Sequence, residues 1–214
     1  MHVDLLVPVK PLARAKTRLL GAADGGARSP ETHARLALAL VRDTVAAAAG
    51  AFAVRRVIVI CSDDLVRAAL AEDGVPTITD EPAAGQNAAL CHGEAVLRTE
   101  QLTGAVGALP GDLPALRPEE LDSALRDGLA TRGRVFCADR SGTGTVLLLA
   151  PPGLALDPRF GPGSAAAHHA TGARALPGAW PGLRCDVDTV DDLAQARDLG
   201  LGRFTRTALR LTSH

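Results

Sequence analysis

Short apolar runs alternate along the chain with longer stretches in which apolar residues recur every three or four positions. The runs Val3–Val9, Val54–Cys61, Val75–Thr79, Ala105–Leu109, Val135–Ala138, Thr143–Ala150 and Leu183–Val187 read as strands. Ala105–Leu109 has no polar alternation, the pattern of a parallel strand buried on both faces. Pro30–Ala49 is the clearest helix, with Ser29 as its N-cap, Pro30 as its first residue and Gly50 as its stop. Asp63–Asp73, Asn87–Thr99, Pro118–Arg132 and Val190–Leu199 complete the helices, the last ended by Gly200. This alternation predicts an α/β fold: a three-layer sandwich around a mostly parallel, mixed sheet. The 214 residues suit a single domain spanning residues 1–214. Residues 151–181, rich in Pro, Gly and Ala, read as a long active-site loop, and the last dozen residues as peripheral.

Composition narrows the classes. Apolar residues make up 47% but aromatics only 2%, so the core must be built from Ala, Val and Leu. Net charge is −1, so no global field draws in nucleic acid or an acidic membrane, and any affinity for phosphate must be local. Cys61, Cys91, Cys137 and Cys185 form no C-x-x-C pair, which fits reduced core thiols and neither a disulfide frame nor a zinc site. With no signal-peptide pattern and no apolar run near the roughly 20 residues that span a bilayer, a soluble cytoplasmic protein is expected.

The sharpest local feature is Gly111-Asp112-Leu113-Pro114. Pro110 and Gly111 break the strand before it, placing Asp112 just past the strand's carboxyl end, where open α/β sheets bind ligands. Pro114 keeps Leu113 extended and the carboxylate outward. Two readings fit Asp112 alone: a turn residue, or a ligand. After the first strand, Lys10, Arg14, Lys16 and Arg18 place four cations within nine residues, enough to hold one polyphosphate. Far downstream, Asp186-Val187-Asp188 would present both carboxylates on one face of a strand, although Asp188 or Thr189 also fits the N-cap of the following helix. Mg²⁺ needs only one or two protein carboxylates, so Asp112 with Asp186 or Asp188 would suffice. Asp80 and Asn87 flank a turn into a helix whose start could read a base or ribose. The turn Asp139–Thr145 and Ser164, ahead of an Ala-rich helix, could each hold a small anion. His168-His169 points to different helix faces and makes a poor metal pair.

Together these segments resemble the guanylyltransferases that activate a phosphorylated three-carbon acid in coenzyme F420 biosynthesis. The likeness runs from Val7 to about Leu199. It rests on Pro8-Val9-Lys10 with Ala15-Lys16-Thr17-Arg18-Leu19, Gly111-Asp112-Leu113-Pro114, Gly142-Thr143-Gly144-Thr145, Arg159-Phe160-Gly161-Pro162 with Ser164, and Trp180–Thr189. The resemblance implies a nucleotide-diphospho-sugar-transferase-like (Rossmann-like) nucleotidyltransferase fold, with GTP as substrate and Mg²⁺ as cofactor. It implies metal ligation by Asp112 and Asp186, nucleotide contacts from the Lys10–Arg18 segment, and an acid site at Thr145, Gly161 and Ser164. Lys10, Lys16, Arg18 and Asp112 would carry catalysis. The G-G-x-S-x-R-M-G opening of the wider superfamily is absent, which favours this subfamily over molybdenum-cofactor cytidylyltransferases. The Ala-, Arg-, Gly- and Pro-rich composition of a GC-rich genome favours phosphoenolpyruvate over 2-phospho-L-lactate as the acid. The expected partners are small molecules, with the product passing to a downstream F420-pathway transferase. The oligomeric state stays open, a homodimer among the alternatives. Rival readings are a sugar-phosphate or molybdopterin nucleotidyltransferase and a silent nucleotide-binding module.

Overall fold

The computed structural model describes residues 2–81, 83–99 and 104–210. The strands are β1 (Val3–Pro8), β2 (Val54–Ile60), β3 (Thr77–Ile78), β4 (Ala105–Ala108), β5 (Val135–Ala138), β6 (Thr145–Ala150) and β7 (Arg174–Ala175). Among the described residues they form one seven-stranded sheet in the order β3-β2-β1-β4-β6-β5-β7. β1 pairs in parallel with β2 and β4, and β2 with β3. β6 runs antiparallel to both β4 and β5, while β7 is parallel to β5. The sheet is therefore mixed, as expected.

The helices are α1 (Pro30–Ala49), α2 (Asp64–Glu72), α3 (Gln86–Thr99), α4 (Pro118–Leu129), α5 (Ser164–Ala170), α6 (Val190–Leu199) and α7 (Arg203–Arg210). Because side chains alternate along a strand, the central strands feed two cores. Val3, Leu5, Val7, Val57 and Val59 pack with apolar residues of α1, α2 and α4. Leu6, Ile58 and Ile60 face the other way, onto Ala89, Leu90 and Leu97 of α3. The result is the three-layer α/β sandwich. α3 comes so close to the sheet that a Cβ on its Gly93 would lie 2.6 Å from Ile60 Cδ1. α1 begins where its caps place it: the Ser29 hydroxyl accepts from Thr32 N–H, and Pro30 follows.

Three expectations are corrected. Leu183–Val187 is no strand; it crosses the end of β4, whose two edges are already taken by β1 and β6. Residues 151–181 are not all loop, because they hold α5 and the edge strand β7. The last dozen residues are not merely peripheral: α7 packs on α1 and buries Thr205 and Ala208. Asp43 of α1 caps α7, accepting from the N–H groups of Phe204 at 3.0 Å and Thr205 at 2.7 Å. Pro82 in the turn before α3, and residues 211–214 at the end, lie outside the described residues. No described helix is long and apolar enough to cross a membrane.

Candidate active site

Strand order reverses at β1, whose neighbours are β2 on one side and β4 on the other. Such a switch point opens a crevice at the carboxyl ends of the strands. A cavity of about 510 Å³ lies there, the size of a small-molecule site. Lys10, Arg14, Lys16, Asp80, Asp112, Asp139, Thr145, Gly161, Ser164, Asp186 and Asp188 all line it.

The basic segment is held from three sides. Leu12 is buried, and its N–H donates to Asp63 Oδ2 at 2.8 Å. His33 Nε2 of α1 donates to the Ala15 carbonyl at 2.8 Å. Lys16 then adopts a left-handed backbone, φ 51°, a conformation unusual for a residue with a Cβ and typical of functional sites. Its ammonium pairs with Asp112 Oδ2 and, at 2.6 Å, with Asp188 Oδ1. Arg18 Nη2 reaches Asp188 Oδ2 at 2.9 Å. Burial disfavours the Lys16 charge, but the two carboxylates outweigh it and raise its pKa above the ordinary value.

The acids meet because Val187 N–H donates to the Asp112 carbonyl at 3.0 Å. The approach of that segment is riveted by Arg184, whose guanidinium donates to the carbonyls of Ala138, Leu176 and Gly178. Asp186 and Asp188 both line the cavity, though an irregular crossing rather than a strand puts them there. Their environments differ. Burial pulls the Asp188 pKa up, yet Lys16 and Arg18 hold it below the usual carboxylate value. Among the described residues no cation pairs with Asp186; burial and the carboxylates of Asp112, Asp139 and Asp188 push it up to about 7. Of the two N-cap candidates Asp188 and Thr189, Thr189 takes the role, closing a capping box with Asp192.

Asp112 Oδ1 is buried without a hydrogen-bond partner. An orphaned carboxylate oxygen, beside a second carboxylate with no cation, suits a divalent ion better than a closed ion pair. The described residues contain no group of three or more His, Cys, Asp or Glu side chains able to hold a metal, so a metal here would have to rest on a pair of carboxylates. A pair fits Mg²⁺, which completes its octahedron with water and phosphate oxygens.

Asn87 does not line the cavity. Its Nδ2 donates to the Phe160 carbonyl at 2.9 Å, and its Oδ1 accepts from Phe160 N–H at 2.8 Å, so it ties α3 to the loop before α5. Asp80 does line it, and its Oδ1 is buried without a partner. In the turn at 139–144, the Asp139 carboxylate accepts from Thr143 N–H and the Ser141 hydroxyl, so these donors are already engaged. Asp139 itself was not foreseen as a cavity residue; its place one position past β5 was the available signal.

The fold and this charged cavity define a nucleotidyltransferase. The chain belongs to the family of MobA-like NTP transferase domains, whose model matches residues 32–180. The phosphoenolpyruvate guanylyltransferase of Salinispora arenicola is 49% identical over 208 residues, covering 96% of this chain and 91% of that protein. The phosphoenolpyruvate guanylyltransferase of Geodermatophilus obscurus is also 49% identical over 208 residues, covering 96% and 93%. Among solved structures, a candidate nucleotide-diphospho-sugar transferase of Desulfovibrio desulfuricans G20 gives a TM-score of 0.63 at 17% identity, covering 99% of each chain. A Mycobacterium tuberculosis H37Rv protein in complex with manganese gives 0.58 at 21%, covering 92% of this chain and 98% of that one.

Proposed function

We propose that the protein is a phosphoenolpyruvate guanylyltransferase, transferring GMP from GTP to phosphoenolpyruvate with release of pyrophosphate in the cytoplasm, and that it serves coenzyme F420 biosynthesis. The observation that carries this reading is the near-full-length 49% identity to enzymes of that name. Clustering of Lys10, Arg14 and Lys16 with the acids at one crevice supports it, while Arg18 lies outside the cavity lining and reaches the group through Asp188.

A phosphate oxygen of the acid attacks the α-phosphorus of GTP in line. The new O–Pα bond forms as the bond from Pα to the bridging oxygen breaks, and pyrophosphate leaves with that electron pair. No general base is required, because the attacking phosphate is already anionic. Catalysis is then positioning and charge neutralisation. Lys10 and Arg14 hold the triphosphate, while Lys16 and Arg18 stabilise the departing pyrophosphate. Asp188 aims both of the latter cations. Asp112 and Asp186 would hold a divalent ion, Mg²⁺ in the cell, which when bound supplies Lewis-acid neutralisation of phosphate oxygens. Thr145, Gly161 and Ser164 hold the acid. Asp80, with its unpartnered carboxylate oxygen, suits the N1–H and N2–H donors of guanine.

The test is an acceptor screen with GTP and Mg²⁺, reading pyrophosphate against phosphoenolpyruvate, 2-phospho-L-lactate and sugar phosphates. Turnover with phosphoenolpyruvate is expected. Preference for another acceptor, or GTP binding without pyrophosphate release, contradicts the reading.

A further inference from the structure

His168 of α5 is fully buried, with its ring edge-on to Phe160 at 5.1 Å between centroids and tilted against Phe136 at 6.0 Å. Both ring nitrogens have partners. The backbone N–H of Arg159 lies 2.8 Å from Nε2, and Thr145 Oγ1 lies 2.9 Å from Nδ1. A backbone N–H can only donate, so Nε2 must present its lone pair. A neutral imidazole has one proton, which then sits on Nδ1. Burial keeps the ring neutral, pushing its pKa down to about 4 against a smaller upward pull from the Ser164 carbonyl.

The direction of the second bond follows. Nδ1–H donates and Thr145 Oγ1 accepts, so the threonine's own O–H is left to donate elsewhere. Thr145 lines the cavity together with Gly161, Gly163 and Ser164. A lone hydroxyl rotates and serves equally as donor or acceptor. One that already accepts from a rigid buried ring becomes a directed donor, the right partner for a phosphate or carboxylate oxygen. The same ring also holds the loop that brings Gly161 to the cavity, through the Arg159 N–H.

We propose that His168 is a positioning residue for the acid acceptor: it sets the Thr145 hydroxyl as a donor to the anionic acid and tethers the loop carrying Gly161. This rests on the reading above, that the acid lies against Thr145, Gly161 and Ser164. A histidine suits the task because it offers a donor and an acceptor on opposite edges of one rigid ring. Asparagine can stand in for Nδ1 and glutamine for Nε2, but neither replaces both.

Steady-state kinetics of Thr145→Val, His168→Gln, His168→Asn and the Thr145→Val/His168→Gln double variant test it. Thr145→Val should raise KM for phosphoenolpyruvate about tenfold, the cost of one hydrogen bond to a charged group, and leave KM for GTP within about twofold. His168→Gln should do the same, and the double variant should be no worse than Thr145→Val alone. His168→Asn, which keeps a donor toward Thr145, should recover part of the loss. Additive losses in the double variant, or equal losses for GTP, overturn the role of His168. An unchanged KM for the acid in Thr145→Val overturns the underlying placement of the acid instead. Imidazole ¹⁵N NMR of the wild-type protein decides the matter without any variant: the proton should be on Nδ1, and a proton on Nε2 defeats the proposal.

Discussion

The backbone N–H of Val187 donates to the carbonyl oxygen of Asp112 at 3.0 Å, and this bond brings together acids 74 to 76 positions apart in the chain. It engages the backbone of Asp112 and not its side chain, whose Oδ2 pairs with Lys16 and whose Oδ1 is unpartnered. Asp112→Asn keeps the shape and the backbone bond, so the fold should survive while turnover is lost. Pyrophosphate release and a thermal melt measure both. Activity retained under saturating Mg²⁺ would refute the metal role.

Lys16 pairs with the same carboxylate that is proposed to hold the metal. The two cations compete for Asp112, so Lys16→Met should have effects of opposite sign. Loss of a charge that stabilises the leaving pyrophosphate should lower kcat by about 10²- to 10³-fold. Removal of the competing ammonium should tighten Mn²⁺ binding to the nucleotide-free protein, read by electron paramagnetic resonance. Unchanged Mn²⁺ affinity would show that the ammonium and the metal do not share this site.

Asp80 offers a carboxylate where a guanine edge needs acceptors. Asp80→Asn replaces one acceptor with an amide donor, which suits the carbonyl of xanthine better than the amino group of guanine. The ratio of kcat/KM for GTP over XTP should fall by about tenfold or more, a difference of the kind made by one mispaired buried group. A ratio that does not move would place the base elsewhere.

Asn87 gives the opposite case. As an amide that binds the nucleotide, its loss would raise KM for GTP. As the clamp on Phe160, its loss loosens the acid loop. Asn87→Ala should therefore raise KM for phosphoenolpyruvate more than KM for GTP. It should also destabilise the fold by about 1–3 kcal/mol through the unpaired Phe160 groups.

These contrasts mark what the sequence could carry. Asp112 was legible because a proline and a glycine end a strand just before it. The Lys10–Arg18 cluster was legible because its charges are contiguous. The termini of α1 and α6 coincide with their expected bounds, since caps are local chemistry. What escaped depends on distant partners. β7 is two residues long and exists because β5 offers it an edge. α7 depends on a cap from Asp43, about 160 positions earlier. The run Leu183–Val187 has strand composition, but it meets the sheet at β4, both of whose edges are taken. Asn87 and His168 look like binding groups or spare polar residues until the loop they hold is folded against them.

His168 also makes a prediction about stability. Its ordinary pKa of 6.5 falls to about 4 in the folded protein, chiefly through burial. Between those values the unfolded chain binds a proton that the folded one refuses, so stability falls as pH drops through this window and is fully present above it. The loss is on the order of 2–3 kcal/mol by pH 4. Asp186 acts in the other direction: raised from 3.8 to about 7, it makes the folded state the better proton acceptor as pH falls. Total acid stability therefore mixes the two signs, and a single melt curve cannot separate them. A comparison with His168→Gln can, because Asp186 is common to both proteins. Denaturant unfolding across pH 4 to 7 should show the wild type losing stability relative to the variant as pH falls, with a constant gap above the window. Parallel curves throughout would mean that the buried ring titrates as it does in the unfolded chain.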